Sequence, residues 1–142
     1  MDSDRVLTLL GRLEQYLDGL EEKQGCREEE YLDDAELQDV VERRFEKAIQ
    51  ACLDLAGHIV SREGYREPED YGDLFAVLRE ENVLSRDLAD KMVEMAGFRN
   101  VLAHEYARID DERVYTHLQD LSRFEEFAAE VHAFLETDAE EG

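Results

Sequence analysis

Apolar residues recur every three or four positions along most of the chain, the spacing that places them on one face of an α-helix. The first stripe follows Asp4 and ends before Gly25: Val6, Leu9, Leu10, Leu13, Tyr16, Leu17 and Leu20. A wider stripe begins after Asp33 or Asp34, either of which is suited to cap a helix, and stops at Gly64. It contains Leu37, Val41, Phe45, Ala48, Ile49, Cys52, Leu53, Leu55, Ala56, Ile59 and Val60. Its width predicts that this second helix is long and central.

Two segments interrupt the helical pattern. Residues from Cys26 to Leu32 are mostly charged, which predicts a connector between the first two helices. Pro68 and Gly72 indicate a loop, and the apolar residues from Leu74 to Leu78 then predict a short helix.

The last part of the chain predicts two further helices. Ser85 is suited to cap the first of them, and Asp110 or Asp111 is suited to cap a final helix whose apolar residues run from Val114 to Leu135. No stretch alternates with period two, so no strand is predicted. The sequence therefore predicts an all-α bundle of four long helices and one short helix.

The helix after Ser85 carries a polar interruption in its apolar stripe. The apolar positions are Leu84, Leu88, Met92, Met95, Leu102 and Tyr106. The omitted position is Arg99, whose guanidinium stays charged and is costly to bury without an anion. Asn100 and His104 add an amide and an imidazole one turn apart on a neighbouring face. This concentration of Arg, Asn, His and Tyr predicts a site that handles a polar ligand.

The helical projection of these residues leaves their arrangement open. At roughly 100° per residue, Arg99 and Tyr106 project within about 20° of each other, whereas His104 lies about 140° from Arg99. Arg99 and His104 would meet if the helix loosens near Ala103, or if two copies pack across a two-fold axis and pool their groups. The structural alternative is that Arg99 forms a salt bridge within the acidic bundle and His104 lies at a fraying helix end.

Length and composition are those of one globular domain. The chain has 142 residues, of which 43% are hydrophobic, and we expect residues 1–142 to form a single domain. No apolar run approaches the roughly 18 residues of a membrane span, and the start Met1-Asp2-Ser3-Asp4 lacks the pattern of a signal peptide. Cys26 and Cys52 show neither metal-ligand spacing nor a disulfide framework, and we expect reduced thiols. The sequence therefore predicts a soluble, cytoplasmic protein.

The net charge of −22, from 38 acidic and 16 basic residues, has two explanations. An acidic surface can bind a basic partner. Alternatively, it is an adaptation to molar salt, in which the Debye length falls to about 3 Å and self-repulsion is screened. The acidic residues are spread over all segments, which favours a halophilic host. The charge does not exclude a nucleic acid as substrate.

The remaining candidates for chemistry predict structural roles. His58, His117 and His132 lack the spacing of a helical metal site, and we expect surface or interface imidazoles rather than ligands. The chain contains no Gly-rich phosphate loop and no Gly-x-Ser-x-Gly nucleophile motif. We therefore predict no metal and no cofactor.

The segment from Arg99 to His104, followed by Glu105 and Tyr106, resembles the Arg-x4-His-x-Tyr signature of the HepT-like toxins. These toxins belong to the HEPN superfamily (higher eukaryote and prokaryote nucleotide-binding). The clearest similarity covers about Leu37 to Leu135. It includes three flanking segments that resemble the family: Pro68 to Leu78, Met95 to Phe98 and Ile109 to Tyr115. The high content of acidic residues in this chain is not typical of the family.

The resemblance implies a dimeric, HEPN-type antiparallel helical bundle that acts as a metal-independent RNA endonuclease. It implies that Arg99 and His104 are the catalytic pair and that Asn100 supports them. It also implies that Tyr106 is the tyrosine to which a nucleotidyltransferase antitoxin attaches AMP. The expected partners are RNA, that antitoxin and a second copy of the chain, with no DNA and no membrane.

The residue types suit this chemistry. A general base removes the proton of the RNA 2′-hydroxyl, which attacks the adjacent phosphorus, and His104 suits the role of base or of leaving-group acid. Arg99 can bind two phosphate oxygens and stabilise charge in the transition state. AMP on Tyr106 would block the substrate phosphate through its bulk and negative charge.

Two other classes of function stay open at this point. The pocket with Arg99 and His104 could hold a nucleotide or RNA without cleaving it. Alternatively, the chain is an interaction subunit of a nucleotidyltransferase complex, with Arg99 in an interface salt bridge. Cleavage assays separate the first from an enzyme, and a change of His104 that alters only stability would indicate the second.

Overall fold

A computed structural model describes the backbone of residues 3–141 and the side chains of residues 4–138. Met1 and Asp2, on which the expected lack of a signal peptide partly rests, lie outside the described residues. The described part contains seven α-helices, one 3-10 helix and no strand: α1 (Ser3–Glu21), α2 (Glu28–Leu32), α3 (Ala35–Glu63), α4 (Tyr71–Glu80), α5 (Arg86–His104), the 3-10 helix (Tyr106–Arg108), α6 (Asp111–Gln119) and α7 (Ser122–Glu141). The predicted all-α bundle with four long helices is confirmed.

Helix α3 is the central element, as its wide stripe predicts. It begins after Asp34, whose carboxylate accepts a hydrogen bond from the Leu37 amide at 3.0 Å. It ends at Gly64, which adopts a left-handed conformation with φ of 68°, a geometry that glycine tolerates without a steric cost. Between these caps it contacts α1, α2, α4, α5 and α6. These five helices are therefore positioned around α3.

Aromatic side chains in the core fix α5 relative to α3 and α7. The ring of Phe45 on α3 lies 5.5 Å from Phe98 on α5 and 6.3 Å from Phe124 on α7, measured between centroids. Phe75 on α4 contacts Phe127 edge to face at 5.8 Å. Such pairs add a directional contribution to the burial of apolar surface. The C-terminal half of α5, which carries the motif, is consequently held by the core.

The prediction of one final helix from Val114 to Leu135 is wrong, because the structure divides this segment into α6 and α7. The break is at Asp120, whose backbone is extended and whose carboxylate accepts a hydrogen bond from the Ser122 amide at 3.1 Å. An aspartate that bonds to the backbone two residues later favours a turn over a continuous helix.

The connector between α1 and α3 contains an unpredicted helix, α2. Helix α2 is mostly acidic but contains one buried aromatic residue, Tyr31. The Tyr31 ring lies 5.8 Å from that of Tyr115 on α6, measured between centroids. The Tyr115 hydroxyl donates a hydrogen bond to the Cys26 carbonyl at 2.9 Å. The connector is thus anchored to α6.

Cys26 and Cys52 are both free thiols, as expected, and burial raises the pKa of Cys52. None of the described helices combines the length and the hydropathy that a membrane-spanning segment requires.

Candidate functional site

The start of α5 is fixed by its cap and by α7. The Ser85 hydroxyl accepts a hydrogen bond from the Leu88 amide at 3.4 Å, as predicted for the N-cap. The Glu130 carboxylate of α7 accepts two further hydrogen bonds, from the Ser85 amide at 2.6 Å and from its hydroxyl at 2.9 Å. Because α5 is held at this end and by Phe98, the motif residues project from a helix that is anchored in the bundle.

Arg99 lies in a cleft of about 180 Å³ between α5, α1 and α3. Its side chain is half-buried, and its guanidinium carbon lies 5.9 Å from the centroid of the exposed Tyr71 ring, within the range of a cation–π contact. The shielded Nε atom has no hydrogen-bond partner in the part of the chain that the structure describes. None of the ion pairs among the described residues includes Arg99. The structural alternative, an Arg99 salt bridge within the bundle, is therefore wrong for this chain alone.

His104 and Asn100 lie on the exposed side of α5. His104 is the last residue of the helix, and no hydrogen bond is described for its ring. The Asn100 amide donates a hydrogen bond to the Glu105 carboxylate at 3.4 Å, and that carboxylate also pairs with Arg108 at 3.1 Å. Glu105 thus links the end of α5 to the 3-10 helix.

Arg99 and His104 do not face each other within one copy of the chain. Helix α5 runs unbroken through Ala103 to His104, so it does not loosen at Ala103. The expected angle of about 140° between the two side chains therefore holds. Of the two routes by which they would meet, only the route through a second copy stays open.

The expectation that Tyr106 continues the stripe of α5 is wrong. The helix ends at His104, Glu105 leaves the helical conformation with φ of −133° and ψ of 54°, and Tyr106 begins the 3-10 helix. Tyr106 is 71% exposed, so its ring does not close the apolar core. The projection of Tyr106 close to Arg99 therefore does not apply, because the two residues do not share one helix.

Tyr106 instead lines a depression of about 540 Å³ together with Asp39, Glu42, Arg43 and Glu46 of α3. Arg43 and Glu46 form an ion pair at 2.8 Å, and both also line the cleft that contains Arg99. Tyr106 and Arg99 therefore lie on two sides of the same ion pair.

The Tyr106 depression is strongly acidic. Partial burial, together with Asp111, Asp39 and Glu46, raises the pKa of Glu42 to about 7. Repulsion from these neighbours disfavours the ionised form of Glu42, because like charges are close together. A proton on Glu42 therefore relieves the local crowding of negative charge.

Sequence reasoning missed the residues that α1 and α3 contribute to the Arg99 cleft, among them Arg12, Tyr16, Arg43 and Lys47. A signal was available, because residues four apart share one face of a helix. Arg12 and Tyr16 have this spacing on α1, and Arg43 and Lys47 have it on α3. These spacings mark one face on each helix, but they do not show that the two faces meet at Arg99.

The other histidines differ in their surroundings. His117 was expected at a surface or interface, but it is buried, with its ring 4.8 Å from that of Phe98, and burial lowers its pKa. His58 is half-buried and its Nε2 atom has no hydrogen-bond partner within the described residues, whereas His132 is exposed. Among the side chains of residues 4–138, no three from His, Cys, Asp or Glu are grouped so that they could hold a metal ion.

Comparison with known proteins agrees with the motif and the fold. Residues 10–131 match the family described as "Ribonuclease HepT-like". The chain is 29% identical over 136 residues to the tRNA nuclease HepT of Aphanizomenon flos-aquae, and the alignment covers 95% of this chain and 90% of that protein. It is 29% identical over 99 residues to the mRNA nuclease HepT of Shewanella oneidensis, which covers 67% of this chain and 74% of that protein.

A solved structure supports the same assignment. It is the tri-AMPylated HEPN toxin of Shewanella oneidensis in complex with an MNT antitoxin, and the match has a TM-score of 0.86 at 25% identity. The alignment covers 92% of this chain and 98% of the matched chain. The resemblance inferred from the segment between Arg99 and Tyr106 is thus confirmed at the level of the family. This chain belongs to the ribonuclease HepT-like family.

Proposed function

We propose that this protein is the toxin of a toxin–antitoxin pair and cleaves RNA without a metal ion, with Arg99 and His104 as its catalytic pair. The observation that carries the proposal is the state of Arg99. In a chain with 38 acidic residues, its half-buried guanidinium has no ion pair, and its shielded Nε no hydrogen-bond partner, among the described residues. A buried charge without a partner is costly, which favours an anionic ligand such as an RNA phosphate.

The proposed reaction is an internal phosphoryl transfer. The RNA 2′-oxygen attacks the adjacent phosphorus while a base accepts its proton, and the bond to the 5′-oxygen breaks as that oxygen gains a proton. His104 is exposed at the end of α5, where its imidazole can act as the base or the acid. Arg99 stabilises the charge that builds on the phosphate oxygens. The products are a 2′,3′-cyclic phosphate and a free 5′-hydroxyl.

A homodimer would bring Arg99 and His104 together, which one copy of the chain does not do. Because Arg99 and His104 project from different faces of α5, we propose that each site combines Arg99 of one copy with His104 of the other. A shallow depression beside Asn100 supports a contact surface there, since it includes Tyr71 and Val93, which are 61% and 42% exposed. A Cβ atom placed on Gly97, in the same depression, would have no neighbouring atom within 4 Å, so a second helix can approach closely.

A nucleotidyltransferase antitoxin would control the site through Tyr106, with Asn100 supporting the catalytic pair. The exposure of Tyr106 makes its hydroxyl accessible to a partner enzyme. The similar Shewanella oneidensis toxin is AMPylated and bound to an antitoxin, which supports the same modification here. AMP on Tyr106 would bring a phosphate next to Arg43, at the border of the Arg99 cleft. It would repel the substrate phosphate and exclude it.

Single substitutions test the proposal. Arg99→Ala and His104→Ala should each lower the rate of RNA cleavage by about 10²- to 10⁴-fold, because each removes one group that acts in the transition state. The matched controls are Arg86→Ala and His132→Ala, which remove exposed residues of the same types. The RNA fragments should end in a cyclic phosphate, and EDTA should leave the rate unchanged. Cleavage at the parent rate by either site variant would refute the assignment, and RNA binding without cleavage would indicate a binding module.

A further inference from the structure

The cleft that contains Arg99 differs in charge from the rest of the molecule. Four basic residues line it (Arg12, Arg43, Lys47 and Arg99), whereas its acidic lining consists of Glu46 and Asp54. The whole chain has more than twice as many acidic as basic residues. An excess of positive charge at this one cleft is therefore opposite to the charge of the protein, which favours an anionic ligand.

The two acidic residues of the cleft are already engaged by other partners. Glu46 pairs with Arg43 at 2.8 Å, and Asp54 accepts a hydrogen bond from the Gln50 amide at 2.8 Å. For Arg12, Lys47 and Arg99, no ion pair or hydrogen bond is described. Three cations with no anionic partner among the described residues thus face one cleft.

The positions of these cations suit an extended ligand. Arg12 on α1 and Lys47 on α3 are exposed, and Arg99 on α5 is half-buried. The cleft therefore has two accessible cations on its outer walls and one shielded cation from the motif. The exposed ring of Tyr71 lies 5.9 Å from the Arg99 guanidinium carbon, so an aromatic surface lies beside the motif cation. Cations combined with an exposed aromatic ring are typical of grooves that bind single-stranded nucleic acid.

We propose that this cleft binds the sugar–phosphate backbone of single-stranded RNA, with Arg12 and Lys47 contacting the phosphates that flank the one bound by Arg99. The identity of the ligand rests on the proposed nuclease function. Arg12 and Lys47 are then binding residues that position the substrate strand without acting on the reacting atoms. The ion pair of Arg43 and Glu46 separates this cleft from Tyr106, so AMP attached there would lie at its edge.

Binding of an uncleavable RNA tests the proposal directly. The probe is a fluorescein-labelled, single-stranded 2′-O-methyl RNA of about 12 nucleotides, which lacks the attacking hydroxyl. Its Kd is measured by fluorescence anisotropy at several KCl concentrations for the parent and for the double variant Arg12→Ala, Lys47→Ala. The control is the double variant Arg79→Ala, Arg86→Ala, which removes the same charge from exposed positions outside the cleft. Far-UV circular dichroism checks that all variants stay folded.

The cleft variant should bind about tenfold or more weakly than the parent at low salt, and the control should stay within about twofold. A plot of log Kd against log salt should have a slope that is smaller by about 1.4 for the cleft variant than for the parent. The variant lacks two phosphate contacts, and each contact to a single strand contributes about 0.7. Equal Kd values for the two double variants, or no binding by the parent, would overturn the proposal. A labelled polyglutamate peptide is tested in the same way. If the cleft variant keeps the parent Kd for RNA but loses binding of this peptide, the RNA proposal is overturned and the cleft is assigned to an acidic protein partner.

Cleavage by the same variants separates this proposal from the nuclease function. If the parent cleaves RNA and the cleft variant keeps the parent KM, the proposed RNA-binding role of the cleft is rejected and the proposed nuclease function stands. If the parent binds RNA through Arg12 and Lys47 but cleaves none, the proposed nuclease function is rejected and the RNA-binding role of the cleft stands. Agreement of both proposals requires a raised KM in the cleft variant with a kcat close to that of the parent.

Discussion

The acidic depression beside Tyr106 predicts that replacing one carboxylate stabilises the protein above neutral pH. Glu42 has a pKa of about 7 instead of its ordinary 4.5, first because of burial and then because of Asp111, Asp39 and Glu46. Folded Glu42 therefore holds its proton more tightly than unfolded Glu42 does. Between these two values the folded state binds more protons, so the free energy of unfolding falls as the pH rises. Glu42→Gln removes this loss.

The size of the effect follows from the change in pKa. The change from 4.5 to about 7 corresponds to at most about 3.4 kcal/mol. Glu42 is only half-buried, so solvent screening reduces this value, and we expect Glu42→Gln to raise the free energy of unfolding at pH 8 by about 1 kcal/mol. Below pH 4.5 the carboxyl group is neutral in both states, and the variant and the parent should be equally stable.

Urea denaturation at about pH 3.5, 6 and 8 measures this difference, with pH values below, between and above the two pKa values. Glu14→Gln on α1 is the control, because it removes the same charge from an exposed position outside the depression. In 1 M KCl the contribution of the neighbouring carboxylates should shrink, whereas the contribution of burial should stay. A stability difference between Glu42→Gln and the parent that does not change with pH would refute the reasoning.

Two further predictions concern the surface charge and the motif tyrosine. With a net charge of −22, the thermal midpoint should rise when KCl is increased from dilute buffer to the molar range, because screening weakens self-repulsion; a constant midpoint would contradict the halophilic interpretation. Tyr106→Phe should keep the parent stability within about 1 kcal/mol, since the ring is exposed, and should stay toxic when the antitoxin is co-expressed. Neutralisation of this variant, or mass-spectrometric detection of AMP on another residue, would contradict the role of Tyr106.

The helical class and most helix boundaries were predictable because local chemistry determines them. Gly64 and Ser85 end and begin helices through their own backbone and hydroxyl groups, and both act as predicted. The division at Asp120 was not predictable from apolar spacing, because α6 and α7 both contribute apolar residues with helical spacing on either side of it. A hydrogen bond between a side chain and the backbone decides that position.

The candidate site was predictable only in part. Arg99 stood out because a charge replaced an apolar residue within one helix. Arg12 and Lys47 come from two other helices, and their closeness to Arg99 depends on how α1 and α3 pack. Tyr106 was misplaced because the end of α5 depends on the conformation of Glu105, which the apolar stripe does not encode.

Mixing two inactive variants tests the central claim most directly. If each site combines Arg99 of one copy with His104 of the other, a mixed dimer of Arg99→Ala and His104→Ala contains one site with both residues intact. Random exchange of subunits should then restore about a quarter of the parent sites, since half of the dimers are mixed and each has one intact site. The account predicts that RNA cleavage returns when the two inactive proteins are mixed and allowed to exchange. Mixed dimers that form but stay inactive would contradict it.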